Sequence, residues 1–485
     1  MRLSERTCKV MLGGILALAS FLRFWRLGTV LLIGDEAYYW QWSRHLAPSY
    51  YDHPAGVALV VRLSTLIGSE SEAGIRWLNA LLGLGCVLGT WLLGARLFSQ
   101  RAGLVAATSV AVSAPYIVIS RHVYTDAPYL FFLLLDLLLT APLFTSREPL
   151  SWSRGIAIGL CTAVLFNTKY SAYPFAATLL FVISWQRPDL WRNRAVWITL
   201  AIALCGLIPT MLWNAQRDWV SFRWQLSHFG KGALHHSSFI ERVGHTLNYV
   251  TPPVAALALP GLGAIRQRRG WTLLLPALVL IVPVILSPAN SPRNLAGGFV
   301  LLLILGANIL LPPEEEPSGN LRPALVSILL LSMTLYGVGT IIATQRETPL
   351  PQSDVAGAIR RDAAGWREAK TLALDPQAVL FALDYSLAGQ LTYYTGREAY
   401  TSWGQYCLWG IPQPDPVVLV SLPYVEPDIV SRRLAQSYAE VEPRQEWLLS
   451  DDKRIWVWRA SGLHIDTATF LERFDLLSLI QAAED

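Results

Sequence analysis

Charge is scarce in this chain. Only 15% of its 485 residues are Asp, Glu, Lys or Arg, against about 25% in an ordinary soluble domain. The deficit argues against a soluble globular class, and a formal net charge of +4 is too small to argue for nucleic acid as a partner. Cysteine is sparse too. Four of the five (Cys8, Cys86, Cys161 and Cys205) lie in or beside apolar segments and Cys407 stands alone, which excludes a disulfide framework. A small-residue cleavage site is also missing. Arg2, Arg6 and Lys9 precede an apolar run that ends in Arg23, Trp25 and Arg26, so the expectation is a retained signal-anchor helix.

What the chain has is apolar length. Hydrophobic residues make up 53% of it, gathered into repeated segments of membrane-spanning size, roughly 20 residues each. Candidate spans lie near 9–29, 74–98, 102–120, 127–145, 153–168, 171–186, 195–213, 246–265, 271–288, 295–312 and 323–344. Residues 55–68 are apolar but short, as expected of an interfacial or re-entrant piece. Basic residues orient the bundle. Arg96/Arg101, Arg147/Arg154, Arg187/Arg192/Arg194 and Arg266/Arg268/Arg269 fall in alternate connections together with the N-terminus, which assigns those connections to the cytoplasm. Arg217, Arg223, Lys231 and Arg242 on the other side make the bias incomplete. "PPEEEPSG" at 312–319 is expected to be a solvated cytoplasmic turn.

From about residue 345 the composition changes. "VAGAIRRDAAGWREAK" and "DIVSRRLAQSYAEV" have helical periodicity, and "PVVLVSL" and "RIWVWRA" have strand character. The expected fold is therefore mainly α: a polytopic bundle of about eleven spans over 1–344, with a small extracytoplasmic α/β domain over 345–485. That domain shows no glycine-rich phosphate loop and no metal-ligand spacing, and it is expected to support substrate access without supplying catalytic groups.

Polar residues gather at the outer ends of the spans. "IGDEAYYWQWSRHLAPSYYDHPAG" (33–56) follows the first span, and "DEAYYWQWSRHL" can form an interfacial helix with Tyr and Trp at headgroup level. Asp35 and Glu36 could merely cap its first turn. "SRHVYTDAPYLFF" (120–132) puts Asp126 on the same outer side, where an N-cap role again competes. Carboxylates at membrane depth are costly and usually face a polar cavity with a partner. Arg121, His122 and Lys169, the last in "LFNTKYSAYPF", are the candidate partners; Lys169 could equally be a snorkelling lysine. Asp136, inside the fourth span, has no assigned partner.

"GDEAYYWQWSRHLAPSYYDHPAG", "TDAPYLFF" and "TKYSA", in this order, resemble the family-39-like bacterial membrane glycosyltransferases. These belong to the protein mannosyltransferase and aminoarabinose transferase superfamily with the GT-C fold. The resemblance covers roughly 10–300, including "WNAQRDWVSFRWQLSHFGKG" (213–232). It implies a polyprenyl-phosphate sugar donor, a lipid, glycan or protein acceptor, an active site on the outer face of the plasma membrane, and inverting displacement with Asp35 as base. Glu36 and Asp126 join Asp35 as candidate catalytic residues. Where aminoarabinose transferases have Glu-Lys-Pro, this chain has Asp52-His53-Pro54, so the leaving phosphate would rely on His53, Lys169, Arg121 or Arg293, with Tyr39 grouped among the substrate-binding candidates. No cofactor is certain. Some relatives hold a metal here, and Asp52 with His235 or His236 could imitate that, although adjacent histidines in a loop are more often plain polarity. A lipid-linked-sugar flippase would need spans and buried charges too, but should show paired repeats. A noncatalytic envelope assembly protein would not need Asp35 and Asp126 on one face.

Overall fold

The computed structural model describes residues 4–146, 149–230, 238–287, 291–312, 321–345, 355–371, 374–450, 453–476 and 478–480. The turn expected at 312–319 falls almost wholly outside them. The chain divides into two compact units, Met1–Leu27 with Ala47–Ile342, and Gly28–Leu46 with Ala343–Asp485.

The first unit is helical. Among the described residues, Glu5–Phe24, Glu72–Leu97, Asp126–Thr145, Arg194–Ala215, Pro292–Leu310 and Leu321–Gln345 are long and apolar enough to cross a membrane. Gln100–Val112 and Ala114–Arg121 add a seventh if counted as one span, and they meet at a 60° bend. The remaining expected spans are shorter apolar helices, Trp152–Phe166, Ala172–Gln186 and Trp271–Leu286. The stretch expected to span 246–265 instead breaks into Phe239–Val250, Pro252–Ala258 and a 3-10 turn at Leu259–Arg266, where Pro252, Pro253 and Pro260 remove backbone donors.

The bend at Ser113 has a specific cause. Pro115 has no N–H to give the Ala111 carbonyl, so the helical ladder opens there. Buried Arg23 closes the gap, donating to the Ala111 and Val110 carbonyls at 3.0 Å each. Backbone polar groups at membrane depth need such internal partners.

The second unit carries a six-stranded mixed sheet. Its strands are β1 (Val379–Ala382), β2 (Ala399–Tyr400), β3 (Val417–Ser421), β4 (Tyr438–Val441), β5 (Gln445–Ser450) and β6 (Lys453–Leu463). β1 pairs in parallel with β2 and β3, while β6 is antiparallel to β3, β4 and β5. β3 is buried along its whole length, as its uninterrupted "VVLVS" implies. The helix expected over 428–441 ends at Ala435, and Tyr438–Val441 is a strand. Tyr438, Phe470, Phe474 and Trp458 pack with Leu419 in the core.

The helix Gly34–Arg44 belongs to this second unit, although the sequence placed it with the bundle. Its Ala37, Tyr38, Tyr39, Gln41 and Trp42 are buried, and it packs on the helix Tyr385–Thr395. The aromatic face expected at headgroup level is instead interior to this unit, with Tyr38 and Tyr406 rings stacked at 5.7 Å.

Candidate active site

Two clusters hold the candidate residues, one in each unit. In the second unit, the neighbouring acids Asp35 and Glu36 have separate roles. Glu36 is fully buried, and its Oε2 accepts from the Ile33 backbone N–H at 3.1 Å. That bond satisfies a donor at the helix start, so the capping function falls to Glu36. Asp35 stays half-buried, with its Oδ1 accepting from the Tyr385 hydroxyl at 3.0 Å. Tyr385, from the C-terminal segment expected to support substrate access without supplying catalytic groups, was missed in the sequence.

The C-terminal segment also fixes the stretch of chain entering this helix. Asp362 Oδ2 accepts from the Gly34 N–H at 2.9 Å, and Gln390 Nε2 donates to the Leu32 carbonyl at 3.0 Å. Position 34 must be glycine, since a Cβ there would lie 2.0 Å from Ser386 Cβ. Lys453 donates to the Asp362 carbonyl at 2.6 Å and lies 4.5 Å from the centre of the Trp366 ring. Burial pushes the Asp362 carboxyl up, against the pull of the Lys453 ammonium, and the Asp35 charge adds to the push. Burial likewise pushes the Lys453 amine down to about 8, against the attraction of Asp362 and Asp384.

This has a consequence for stability. The Lys453 amine titrates at about 8 when folded against 10.5 unperturbed, so in that window the unfolded chain binds more protons. Stability contributed through Lys453 then rises with pH between those values. Lys453→Met should flatten that rise in melting temperature, measured across the window on purified protein.

In the first unit, Lys169 Nζ meets Asp126 Oδ1 at 2.6 Å, and the two residues are 6% and 4% exposed. Among the three candidate partners of Asp126, the ion pair is with Lys169, not with Arg121. The turn carrying Lys169 is tied to the 49–56 segment. Gly56 N–H donates to the Asn167 carbonyl at 2.7 Å, and a Cβ at Gly56 would lie 2.5 Å from that oxygen. His53 and Asp52 sit in the adjoining hairpin. The His53 carbonyl accepts from the Tyr50 N–H at 3.0 Å, and the Asp52 carbonyl accepts from Gln225 at 2.8 Å.

Other candidates take different places. Arg121 donates to the carbonyls of Leu22, Arg23 and Trp25 at 2.9, 3.2 and 3.0 Å. It therefore caps the end of the first helix. Tyr39 is buried against Trp42, ring centres 5.1 Å apart. Arg293 lies 4.3 Å over the Tyr124 ring. Asp136 accepts from Thr162 Oγ1 at 2.8 Å. His235 and His236 lie outside the described residues, and among the described residues no three His, Cys, Asp or Glu side chains gather in a way that could hold a metal.

Residues 52–213, which include Asp126 and Lys169 but not Asp35, match the family model described as dolichyl-phosphate-mannose-protein mannosyltransferase. The lipid A galacturonosyltransferase RgtD of Rhizobium johnstonii is 32% identical over 190 residues, 38% of this chain and 38% of the relative's own length. ArnT from Cupriavidus metallidurans, in its apo state, shares the fold at a TM-score of 0.65 and 16% identity, over 94% of this chain and 98% of that one. The same protein bound to undecaprenyl phosphate matches at 0.64 and 15% identity, with the same coverage. The archaeal oligosaccharyltransferase AglB from Archaeoglobus fulgidus, in complex with an inhibitory peptide and a dolichol-phosphate, matches at 0.50 and 9% identity over 81% of this chain and 64% of that one. Over the matched segment the chain is similar to that mannosyltransferase family, and over nearly its whole length its fold is that of ArnT.

Proposed function

We propose that the chain transfers a sugar from a polyprenyl-phosphate donor to an acceptor hydroxyl on the extracytoplasmic side of the plasma membrane, with Asp35 as general base. The acceptor oxygen attacks the anomeric carbon as its proton passes to Asp35. The bond from that carbon to the phosphate oxygen breaks, and polyprenyl phosphate leaves with the electron pair. Direct displacement inverts the anomeric configuration. The observation that carries this reading is the division of labour at the helix start. Glu36 is sealed in and caps, while half-buried Asp35 is held by a hydroxyl donor. A carboxylate within reach of the acceptor hydroxyl can supply the base that such a step needs.

The leaving phosphate needs a cation. We assign it to Lys169, kept in place by Asp126, with His53 and Arg293 as further candidates. The name of the curated relative supplies the sugar and the acceptor to test first, galacturonic acid and lipid A, with the sugar carried on polyprenyl phosphate as proposed above. Purified protein given both should release polyprenyl phosphate in step with glycosylated lipid A, read by mass spectrometry. Donor binding without release, for this and for other polyprenyl-phosphate sugars, would instead favour a flippase or an assembly protein.

Sidedness is tested separately. The exposed thiol of Cys407 should react with a membrane-impermeant maleimide in intact spheroplasts. Reaction only after permeabilisation would place the C-terminal unit inside and end this orientation.

A further inference from the structure

We propose that a pocket beside β2, in the second unit, binds a pyranose ring of the acceptor glycan at a distance from the reacting sugar. Its assignment to the acceptor rests on the glycosyl transfer proposed above; its affinity for a sugar does not. The pocket holds about 430 Å³ and is lined by residues of this unit, among them His45, Glu398, Tyr400, Trp409 and Pro412. Small-ligand sites commonly measure about 300–1,000 Å³ and join aromatic walls to a few convergent polar groups.

The lining matches the two-sided chemistry of a pyranose, which carries C–H groups on its faces and hydroxyls around its rim. Trp409 supplies a large aromatic surface for the C–H groups. Glu398 and Tyr400 supply the polar partners. The Tyr400 hydroxyl donates to Glu398 Oε2 at 3.1 Å, and Glu398 Oε1 lies 3.9 Å from His45 Nε2. The Glu398 side chain is 51% exposed. Its two oxygens offer about four lone-pair sites, so it can accept from neighbouring sugar hydroxyls and keep the Tyr400 bond. An acyl chain in the same place would strip water from the carboxyl and return no hydrogen bond.

The pocket is also held in shape. Glu398 and Tyr400 flank Ala399 on β2, an edge strand of the sheet, and alternate residues of extended chain share a face. Trp409 ends the short helix Gln405–Trp409. Its ring meets the Tyr406 ring at 5.3 Å and the His45 ring at 4.9 Å. Tyr406 is buried and stacked on Tyr38, so the indole is backed by the interior of this unit. Gly410 then takes φ +79°, a geometry that a side chain would strain, and turns the chain toward Pro412. Pro412, Pro414 and Pro416 stiffen the wall that follows. A preformed site loses less entropy when it is filled.

Position separates this pocket from the reaction. His45 is the C-cap of the helix whose first turn carries Asp35, and the helical rise between the two is about 15 Å. A ring in the pocket is therefore not the one beside the candidate base. A glycan reaching from one to the other would be held at two points, which favours an extended acceptor over a short one.

The test is saturation-transfer NMR on the full-length protein in a detergent without a sugar head group. Methyl glycosides of glucose, galactose and mannose serve as probes, because their hydroxyl patterns differ. At least one should take up saturation at its ring C–H protons from wild type. Trp409→Ala and Glu398→Ala should each weaken that binding at least about tenfold, and Trp409→Phe, which keeps a ring, should restore part of it. No uptake by any glycoside, or undiminished uptake in an alanine variant that melts like wild type, overturns the proposal. Should Trp409→Ala melt lower than wild type, Glu398→Ala, at an exposed side chain, decides. Loading with galacturonosyl polyprenyl phosphate separates the two sources of sugar. Glycoside binding should persist in the donor-loaded protein; displacement by the donor ends the acceptor assignment. Asp35→Asn should bind the glycosides like wild type. Glycoside binding by a protein that releases no polyprenyl phosphate from any donor ends the proposed transfer and leaves the sugar site, whereas turnover without glycoside binding does the reverse.

Discussion

Asp35→Asn should lose roughly 100- to 10,000-fold in turnover, the usual cost of removing a general base, while melting close to wild type. Asparagine keeps the size of the side chain and can still accept from the Tyr385 hydroxyl through its amide oxygen. Loss of a helix cap would look different, costing about 0.5–2 kcal/mol of stability with near-normal turnover in the folded fraction. The structure sharpens that contrast, because the bond to the Ile33 N–H is made by Glu36. Glu36→Gln, which keeps an acceptor oxygen, should therefore stay active, whereas Glu36→Ala should lower melting. The two acids are adjacent in sequence and opposite in expected phenotype.

Lys169→Met should lower thermal stability sharply. It would leave the Asp126 carboxylate buried without the ammonium now 2.6 Å away. Stranding one charge of a buried pair typically costs about 3–5 kcal/mol, whereas replacing both partners with apolar groups of similar volume is often neutral. The double variant Asp126→Leu/Lys169→Met should thus recover most of the melting temperature lost by the single change. Turnover separates the roles. If Lys169 stabilises the leaving phosphate, the double variant stays inactive despite its recovered fold. Recovery of both melting and turnover would make the pair purely structural. Melting curves in detergent and polyprenyl-phosphate release, taken on the same preparations, check both.

Much of the bundle was legible because membrane-depth energetics leave a coarse signal in the sequence. Long apolar segments mark spans, and an isolated acid such as Asp126 must have a partner, so Lys169 could be named from sidedness. Arg121 could not be resolved the same way. A cation at the outer end of a helix has the same sequence signature whether it meets a carboxylate or, as here, three carbonyls left open where the first helix ends. The bend at Ser113 was hidden because Pro115 breaks the backbone ladder without interrupting apolar composition. Tyr438–Val441 was absorbed into the preceding helix because its alternation is too short to stand out.

The least legible part is the one that frames the candidate base. Tyr38, Tyr39 and Trp42 next to a first span have the composition of an interfacial belt, and nothing local tells headgroups from a protein core. Their partners, among them Tyr385 and Tyr406, lie some 350 residues onward. The alternation around "DYSLAGQL" predicts at most a capped helix, not that its first residue meets Asp35. Long-range packing of this kind has no periodicity to betray it.

The most direct test is a single-turnover experiment on wild type and Asp35→Asn, each preloaded with galacturonosyl polyprenyl phosphate and mixed with lipid A. Bound donor, released polyprenyl phosphate and remaining fold are read from the same samples. Asp35→Asn is expected to be folded and donor-loaded yet to release polyprenyl phosphate at least about 100-fold more slowly than wild type. Release at more than about a tenth of the wild-type rate, well above what loss of a general base leaves, would contradict it.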